Sequence, residues 1–307
     1  MTLPKVLIGP SSFAEIDRSP LEKLINAGFE IVENPYKRKL TKLELKTLLS
    51  EDVCGIIAGL EPLDCEVLKA SKLKVISRVG SGLSNVDIDS CNELGIKVCS
   101  TPNGPTQAVA ELTIGALLSM LRMIPQMNSA LHQGKWEKKI GTHLQGKTVL
   151  IVGYGRIGRR VAQLLRPFDV KLLIVDLYVK PESLNGERLL SLPEALPLAD
   201  IITLHNSGES CLIGLPEISL MKAGVFILNV ARGGVISEEA LVQGIQSGKV
   251  IGAWLDTFVQ EPYRGILENF SQVILTPHIG SYTSECRINM EAEAVENFLH
   301  AIRTHGY

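Results

Sequence analysis

Val149-Leu150-Ile151-Val152-Gly153-Tyr154-Gly155-Arg156-Ile157-Gly158, with the segment that follows it as far as Asp176, decides how this chain folds. A β-branched apolar run enters three glycines spaced G-x-G-x-x-G, a helical stretch follows, a second apolar run covers Val170–Val175, and an acid stands at Asp176. Strand, glycine turn, helix and strand in this order form a βαβ unit. Gly153 permits the tight turn out of the strand, Gly155 lets backbone approach a pyrophosphate, and Gly158 lets the helix pack close on the sheet. Free N–H groups at the helix start suit phosphate because the helix dipole adds to them. Asp176, about 20 residues beyond the glycines, can accept hydrogen bonds from both ribose hydroxyls and would repel a 2′-phosphate. Leu177, Tyr178 and Val179 follow it where an NADP site carries an Arg, so the pattern implies NAD. A lone glycine motif also serves plain packing; here strand, helix and acid accompany it.

At 307 residues the chain is long enough for two domains, each with its own core. A net charge of -2, with 31 basic and 33 acidic residues, argues against nucleic acid or an anionic membrane held by bulk charge. Lys37–Lys39 is the longest basic cluster and reads as a solvated loop. The six cysteines (54, 65, 91, 99, 211 and 286) show no C-x-x-C pair or zinc-ligand spacing, so no metal is implied, and they read as small buried hydrophobes in a reducing compartment. Met-Thr-Leu-Pro-Lys leads into a short strand and not into a signal peptide, and apolar runs such as Ala116–Met120 are too short to span a bilayer. A soluble cytoplasmic protein is the expectation.

Before the glycine motif, short apolar runs (Val6–Ile8, Phe29–Val32, Val53–Ala58, Leu73–Ile76, Ile96–Cys99) alternate with helical periods (Leu21–Ala27, Lys42–Leu49, Cys65–Ala70, Val86–Leu94). That alternation predicts a parallel sheet covered on both faces. Thr101-Pro102-Asn103-Gly104-Pro105 marks a boundary, followed by an apolar helix over Thr106–Met123 that Pro125 interrupts. Met127–Thr142 reads as an extended arm in which Trp136 suits either a subunit interface or a satellite core. Beyond the motif come strands at Ile201–Leu204, Val225–Asn229, Val250–Leu255 and Val273–Leu275, a loop at 205–209, a proline-interrupted helix at Leu189–Leu198 and helix Glu238–Gln246. The fold class is therefore α/β, two doubly wound parallel sheets with a cleft between them, divided as 1–100 plus 282–307 and 101–281. The terminal helix over Ser284–Thr304 has no sheet of its own left to cover and should return to the first unit.

Three polar residues stand just after strands of the second half, where parallel sheets offer their carboxyl ends to ligands. Arg232 follows Asn229-Val230-Ala231, Glu261 follows the Val250–Leu255 strand, and His278 follows Leu275-Thr276-Pro277. Taken singly, an Arg beside two glycines also caps helices, a Glu before Pro262 is also simply solvated, and a lone His is more often structural. Together they suit hydride transfer to or from a carbonyl. His278 can give or take the proton, Glu261 can fix its tautomer and favour the imidazolium, and Arg232 can grip a carboxylate and polarise the neighbouring carbonyl.

With these residues in view, the chain resembles the D-isomer-specific 2-hydroxyacid dehydrogenases, and among them the D-3-phosphoglycerate dehydrogenases, from about Val53 onward. The resemblance rests on Val79-Gly80-Ser81-Gly82-Leu83-Ser84-Asn85-Val86-Asp87, Thr101-Pro102-Asn103-Gly104, Gly153–Gly158, Asn229–Gly234, Leu255-Asp256-Thr257-Phe258 with Glu261-Pro262, and Thr276-Pro277-His278-Ile279-Gly280. It implies His278 as acid/base, Glu261 as its partner and Arg232 as substrate anchor. It implies that backbone N–H groups of Gly80–Gly82 receive the substrate carboxylate, within a substrate segment Arg78-Val79-Gly80-Ser81-Gly82, with Ser81 near the nicotinamide. On the cofactor side it implies Gly153, Gly155, Arg156, Ile157, Gly158, Asp176, Asn206, Val230, Ala231, Asp256, His278 and Gly280, with Asp256 and the Ala231 backbone holding the carboxamide. Read without the resemblance, Asp256 is an N-cap-like solvated acid. The family fold pairs a Rossmann-type NAD domain with a flavodoxin-like substrate domain, and the family dimerises through the NAD domain, its long helix and arm.

The chain departs from the phosphoglycerate enzymes in three places. Gly59-Leu60-Glu61-Pro62 stands where they carry an Arg-Ser pair for phosphate, although Arg78 matches a basic position of theirs. His205-Asn206-Ser207-Gly208 lacks the usual His-x-Pro and is shorter, which loosens the adenine-side wall. No serine-sensing regulatory domain is expected after the terminal helix. The expected substrate is 3-phosphoglycerate in serine biosynthesis, with hydroxypyruvate, glyoxylate or a sugar acid as the alternative, and an NAD-sensing corepressor as the reading from another class.

Overall fold

The computed structural model describes residues 3–49, 51–208 and 210–304, so Glu209 of the 205–209 loop lies outside the described residues. The chain divides into two compact units, Met1–Pro105 with Ser281–Tyr307, and Thr106–Gly280. The first unit runs β1 (Lys5–Ile8), α1 (Ser19–Asn26), β2 (Glu30–Glu33), α2 (Lys42–Leu48), β3 (Val53–Ala58), α3 (Cys65–Lys69), β4 (Val75–Arg78), α4 (Ile88–Leu94) and β5 (Lys97–Ser100). Its strands are all parallel in the order β2-β1-β3-β4-β5, the flavodoxin-like arrangement. β3 is buried along its whole length, as a central strand covered on both faces must be.

The second unit follows with α5 (Pro105–Leu121), α6 (Ile124–His132), β6 (Thr148–Val152), α7 (Arg156–Leu165), β7 (Lys171–Val175), β8 (Arg188–Leu189), α8 (Leu192–Ala195), β9 (Ile201–Leu204), α9 (Leu215–Leu220), β10 (Val225–Asn229), α10 (Glu238–Gln246), β11 (Val250–Leu255) and β12 (Val273–Leu275). All seven strands are parallel, ordered β12-β11-β10-β9-β6-β7-β8. From β6 the chain builds outward through β7 and β8, then crosses back to β9 on the other side, which makes the end of β6 a topological switch point. Two apolar layers cover this sheet, one including Leu117, Met120 and Trp254, the other including Leu196, Ile218 and Leu241.

The last helix, α11 (Ser284–Arg303), belongs to the first unit. Thr283 starts it by accepting from Cys286 N at 3.2 Å. Ser77 Oγ donates to Ala294 O at 2.7 Å, tying α11 to β4. Phe298 is wholly buried, meets Phe29 edge-on at 5.4 Å, and fills the room above Gly55, where a Cβ would lie 2.2 Å from its ring. Complete burial of such a side chain contributes about 2–3 kcal/mol. Arg287 pairs with buried Glu291 at 2.6 Å, and Glu291 accepts from Ala14 N at 2.9 Å, so the helix also clasps the loop after β1.

The arm differs from its sequence reading. Helix α5 ends at Leu121, Met123 takes a left-handed conformation, and Ile124–His132 is helical. Pro125 lies in the first turn of α6, where its missing N–H costs nothing, so it starts a helix here and does not end one. Residues 133–147 are irregular, and within them Trp136 and Ile140 are exposed, which excludes a satellite core. All six cysteines are free, but only Cys54, Cys91 and Cys286 are buried. Cys65 and Cys99 are half-buried, and Cys211 is exposed because it sits in the loop between β9 and α9, off both sheet faces. No single helix among the described residues is long and apolar enough to cross a membrane.

Candidate active site

Three neighbouring strands, β10, β11 and β12, end side by side, and the loops leaving them carry Arg232, Glu261 and His278. Asn229 closes β10 fully buried; its amide donates to Arg232 O at 2.9 Å and its carbonyl accepts from Ala231 N at 3.1 Å. This side chain builds the turn through Val230 and Ala231 that presents Arg232. The Arg232 side chain is half-buried and makes no capping bond; Nη1 donates to Ala231 O at 2.8 Å. A Cβ on Gly233 would lie 2.0 Å from the Phe258 carbonyl carbon, so only a glycine lets this turn pack on the loop after β11.

That loop carries Glu261. Its Oε1 accepts from Phe258 N at 3.1 Å and its Oε2 lies 2.9 Å from His278 Nδ1. Both side chains are partly open to solvent, 34% and 40% exposed, so the pair is reachable from outside the unit. His278 has φ +54°, left-handed, and its N–H donates to Thr276 O at 2.9 Å. A non-glycine residue held in this region marks a constrained site.

Asp256 is not the solvated acid that its sequence position suggests. It is completely buried, with Oδ1 accepting from Thr276 Oγ1 at 2.6 Å and from Ile279 N at 2.9 Å, and Oδ2 accepting from Gly280 N at 2.9 Å. Burial pushes its carboxyl up, while Thr276, Ile279, His278 and Gly280 favour the ionised form. The reason for the difference is register: Leu255 pairs with Leu275, which brings the ends of β11 and β12 together and drops Asp256 under the His278 loop. Thr276 and Trp254, whose sequence positions carry no sign of a role, complete this arrangement, since Trp254 Nε1 donates to Thr276 Oγ1 at 2.9 Å.

At the end of β6, Gly153 has φ +90° and donates to Val175 O at 2.8 Å. A Cβ there would come within 2.5 Å of Asn206 N, and one on Gly158 within 2.1 Å of Gly153 O. A Cβ on Gly155 would meet nothing within 4 Å. The N-terminus of α7 has no side-chain cap, so the amides around exposed Arg156 and half-buried Ile157 face open space. This uncapped cradle fits a pyrophosphate. Half-buried Asp176 closes it, accepting from Tyr154 N at 2.7 Å, Tyr178 N at 2.8 Å and Val179 N at 3.1 Å. Beside it, Asn206 Oδ1 and His205 Nδ1 are buried with no partner among the described residues. His205 Nε2 meets Thr203 Oγ1 at 2.9 Å, and burial pushes the ring down to about 3, so it is neutral. No cluster of His, Cys, Asp or Glu among the described residues could hold a metal ion.

In the first unit, the segment read as a carboxylate receptor is partly committed. Val79 N donates to Ala58 O at 2.8 Å and Gly80 N to Thr101 Oγ1 at 2.7 Å, so of Gly80, Ser81 and Gly82 the first has no donor to give. The Arg78 guanidinium folds back over Gly80 and donates to Val79 O. Glu61, in the segment that stands in place of a phosphate-binding pair, is fully buried, accepts from Gly59 N at 2.7 Å and lies against Gly9. Burial pushes its carboxyl up, with Arg78 and Lys39 acting in the opposite sense.

Residues 114–280 match the family model of the D-isomer specific 2-hydroxyacid dehydrogenase, NAD binding domain. The chain is 37% identical to D-3-phosphoglycerate dehydrogenase of Sus scrofa over 98% of its own length and 57% of that protein, and so spans little more than half of that relative. It is 38% identical to hydroxypyruvate reductase of Thermotoga maritima, over 84% of this chain and 87% of the relative. The crystal structure of a glyoxylate reductase from Paecilomyes thermophila superposes with a TM-score of 0.86 at 30% identity, covering 98% of this chain and 96% of that one. The fold, the uncapped glycine turn and these likenesses together place the chain in the D-isomer specific 2-hydroxyacid dehydrogenase family.

Proposed function

We propose that this chain is an NAD-dependent oxidoreductase that interconverts a D-2-hydroxy acid and its 2-oxo acid. The observation that carries the reading is the 2.9 Å contact between His278 Nδ1 and Glu261 Oε2, on a strand end next to the turn that presents Arg232. With Nδ1 donating to the carboxylate, Nε2 is the atom left to hold the proton that the substrate oxygen gains or loses. The Arg232 guanidinium grips the substrate carboxylate and draws charge from the adjacent carbonyl. Hydride exchange at the substrate carbon is the chemistry that NAD supplies when bound. Gly153, Gly155, Arg156, Ile157 and Gly158 would hold its pyrophosphate and Asp176 its ribose, with Asn206, Val230, Ala231, Asp256, Gly280 and Ser81 as the further contacts. Asp256 would act there through the loop it holds, since its oxygens already accept from Thr276, Ile279 and Gly280.

For the substrate, the likeness to D-3-phosphoglycerate dehydrogenases supports 3-phosphoglycerate and 3-phosphohydroxypyruvate, in serine biosynthesis. Hydroxypyruvate or glyoxylate is the second reading, favoured by the buried Glu61, an acid where a phosphate would want a cation. Homodimerisation through the second unit is supported by the exposed Trp136 and Ile140 of the arm, and a cytoplasmic location by the six free thiols. The deciding assay follows NADH oxidation with 3-phosphohydroxypyruvate, hydroxypyruvate, glyoxylate and sugar-derived 2-oxo acids. The ranking of kcat/KM names the substrate. NADH binding with no turnover of any of them refutes the enzyme reading and leaves a cofactor-sensing protein.

A further inference from the structure

We propose that Trp254 and Thr276 are positioning residues for His278, acting through Asp256; the inference rests on the role given to His278 above. Trp254 is the largest wholly buried side chain of the second unit, and its indole N–H can only donate. It donates to Thr276 Oγ1 at 2.9 Å. A hydroxyl has a single proton, and with Trp254 occupying an acceptor site of Thr276 that proton is directed to Asp256 Oδ1, 2.6 Å away. The direction of the chain is thus set from the core outward: indole to hydroxyl to carboxylate.

The carboxylate at its end holds the catalytic loop on both sides of His278. Thr276 precedes the histidine, and Ile279 and Gly280, whose N–H groups donate to Oδ1 and Oδ2 at 2.9 Å, follow it. His278 is therefore suspended between anchor points on one buried acid, in a left-handed backbone conformation that a free loop would leave. Its ring then meets Glu261 through Nδ1, which leaves Nε2 as the nitrogen available for the proton. Chains of hydrogen bonds polarise one another in a dry interior, so removing the indole donor weakens the Thr276–Asp256 bond without touching it. Without the hydroxyl, Asp256 keeps two donors and the loop loses the anchor on its N-terminal side.

The test uses the full chain with Thr276→Val, Thr276→Ser and Trp254→Phe, assayed with NADH and the best 2-oxo acid well below the melting temperature. Thr276→Val is expected to lower kcat about 30-fold, and Trp254→Phe about fivefold, with KM and the NADH Kd within about threefold of the parent. Thr276→Ser, which keeps the hydroxyl, is expected to recover kcat to within about threefold. A second readout needs no turnover: the His278 imidazole ¹⁵N resonances, identified by their loss in His278→Ala, shift in Thr276→Val and stay in place in Thr276→Ser. The proposal is overturned if Thr276→Val and Trp254→Phe lower the melting temperature alone, if Thr276→Ser is as impaired as Thr276→Val, or if the His278 resonances do not move. A wild-type chain inactive on every 2-oxo acid removes the functional reading, and the resonances then decide the positioning by themselves.

Discussion

His278 Nδ1 and Glu261 Oε2 stand 2.9 Å apart although they come from loops after different strands, β12 and β11. The contact leaves Nε2 as the imidazole nitrogen available for the proposed proton transfer. His278→Ala removes the proposed proton donor, and kcat is expected to fall by about two orders of magnitude or more with NADH affinity little changed. Glu261→Gln keeps the shape and loses the charge, and about a tenfold lower kcat is expected. Steady-state rates beside NADH titration by fluorescence check both; equal loss of binding and rate in either variant contradicts the assignment.

The glycines at 155 and 158 should fail in opposite ways. Gly158→Ala puts a methyl 2.1 Å from Gly153 O, and a loss of about 2 kcal/mol or more of stability is expected, since backbone has to move. Gly155→Ala adds its methyl to open space, so the fold should lose no more than about 1 kcal/mol as an N-cap exchange. NADH affinity, in contrast, should drop about tenfold or more, because the methyl occupies the approach of the pyrophosphate. Urea melts and NADH titrations separate the two.

Asp176 bears on the choice of cofactor. Asp176→Ala removes the proposed acceptor for ribose hydroxyls and the proposed repulsion of a 2′-phosphate, and the NADH-to-NADPH ratio of kcat/KM is expected to fall by about tenfold or more. The same carboxylate accepts from Tyr154, Tyr178 and Val179, so a melting curve is needed alongside to show that the turn persists.

His205 is expected to make the second unit acid-sensitive. Its folded value of about 3 lies far below the ordinary histidine value, so below about pH 6.5 the unfolded chain binds a proton that the folded chain does not. The stability from the neutral ring is fully present above that pH and is lost as pH falls toward 3, at up to about 1.4 kcal/mol per pH unit. His205→Gln should show a shallower decline of stability between pH 6.5 and 5 in chemical denaturation. Parallel curves for the two proteins would show that His205 titrates freely.

Much of the fold is legible in the chain because buried parallel strands read as unbroken apolar runs: Val225–Asn229, Val250–Leu255 and Val273–Leu275 end where the strands end. Arg232, Glu261 and His278 are visible as polar residues just past such runs. What escapes is whatever depends on lateral neighbours. Thr276 looks like an ordinary strand-end residue until β12 lies beside β11 and brings Trp254 and Asp256 to it. Gly80 looks like a free amide until Thr101, from the far end of β5, takes its hydrogen. Pro125 misleads for a different reason, since proline stops a helix from inside and starts one at its first turn, and only the backbone at Met123 tells which applies.

The return of α11 to the first sheet also orders events in time. Residues 106–280 are contiguous, so a ribosome delivers the second unit whole before the first is complete. The contacts of Phe298 over Gly55 and of Glu291 with the loop after β1 can form only once the last stretch of chain has been made. The unit that the ribosome begins first is the unit whose chain it completes last.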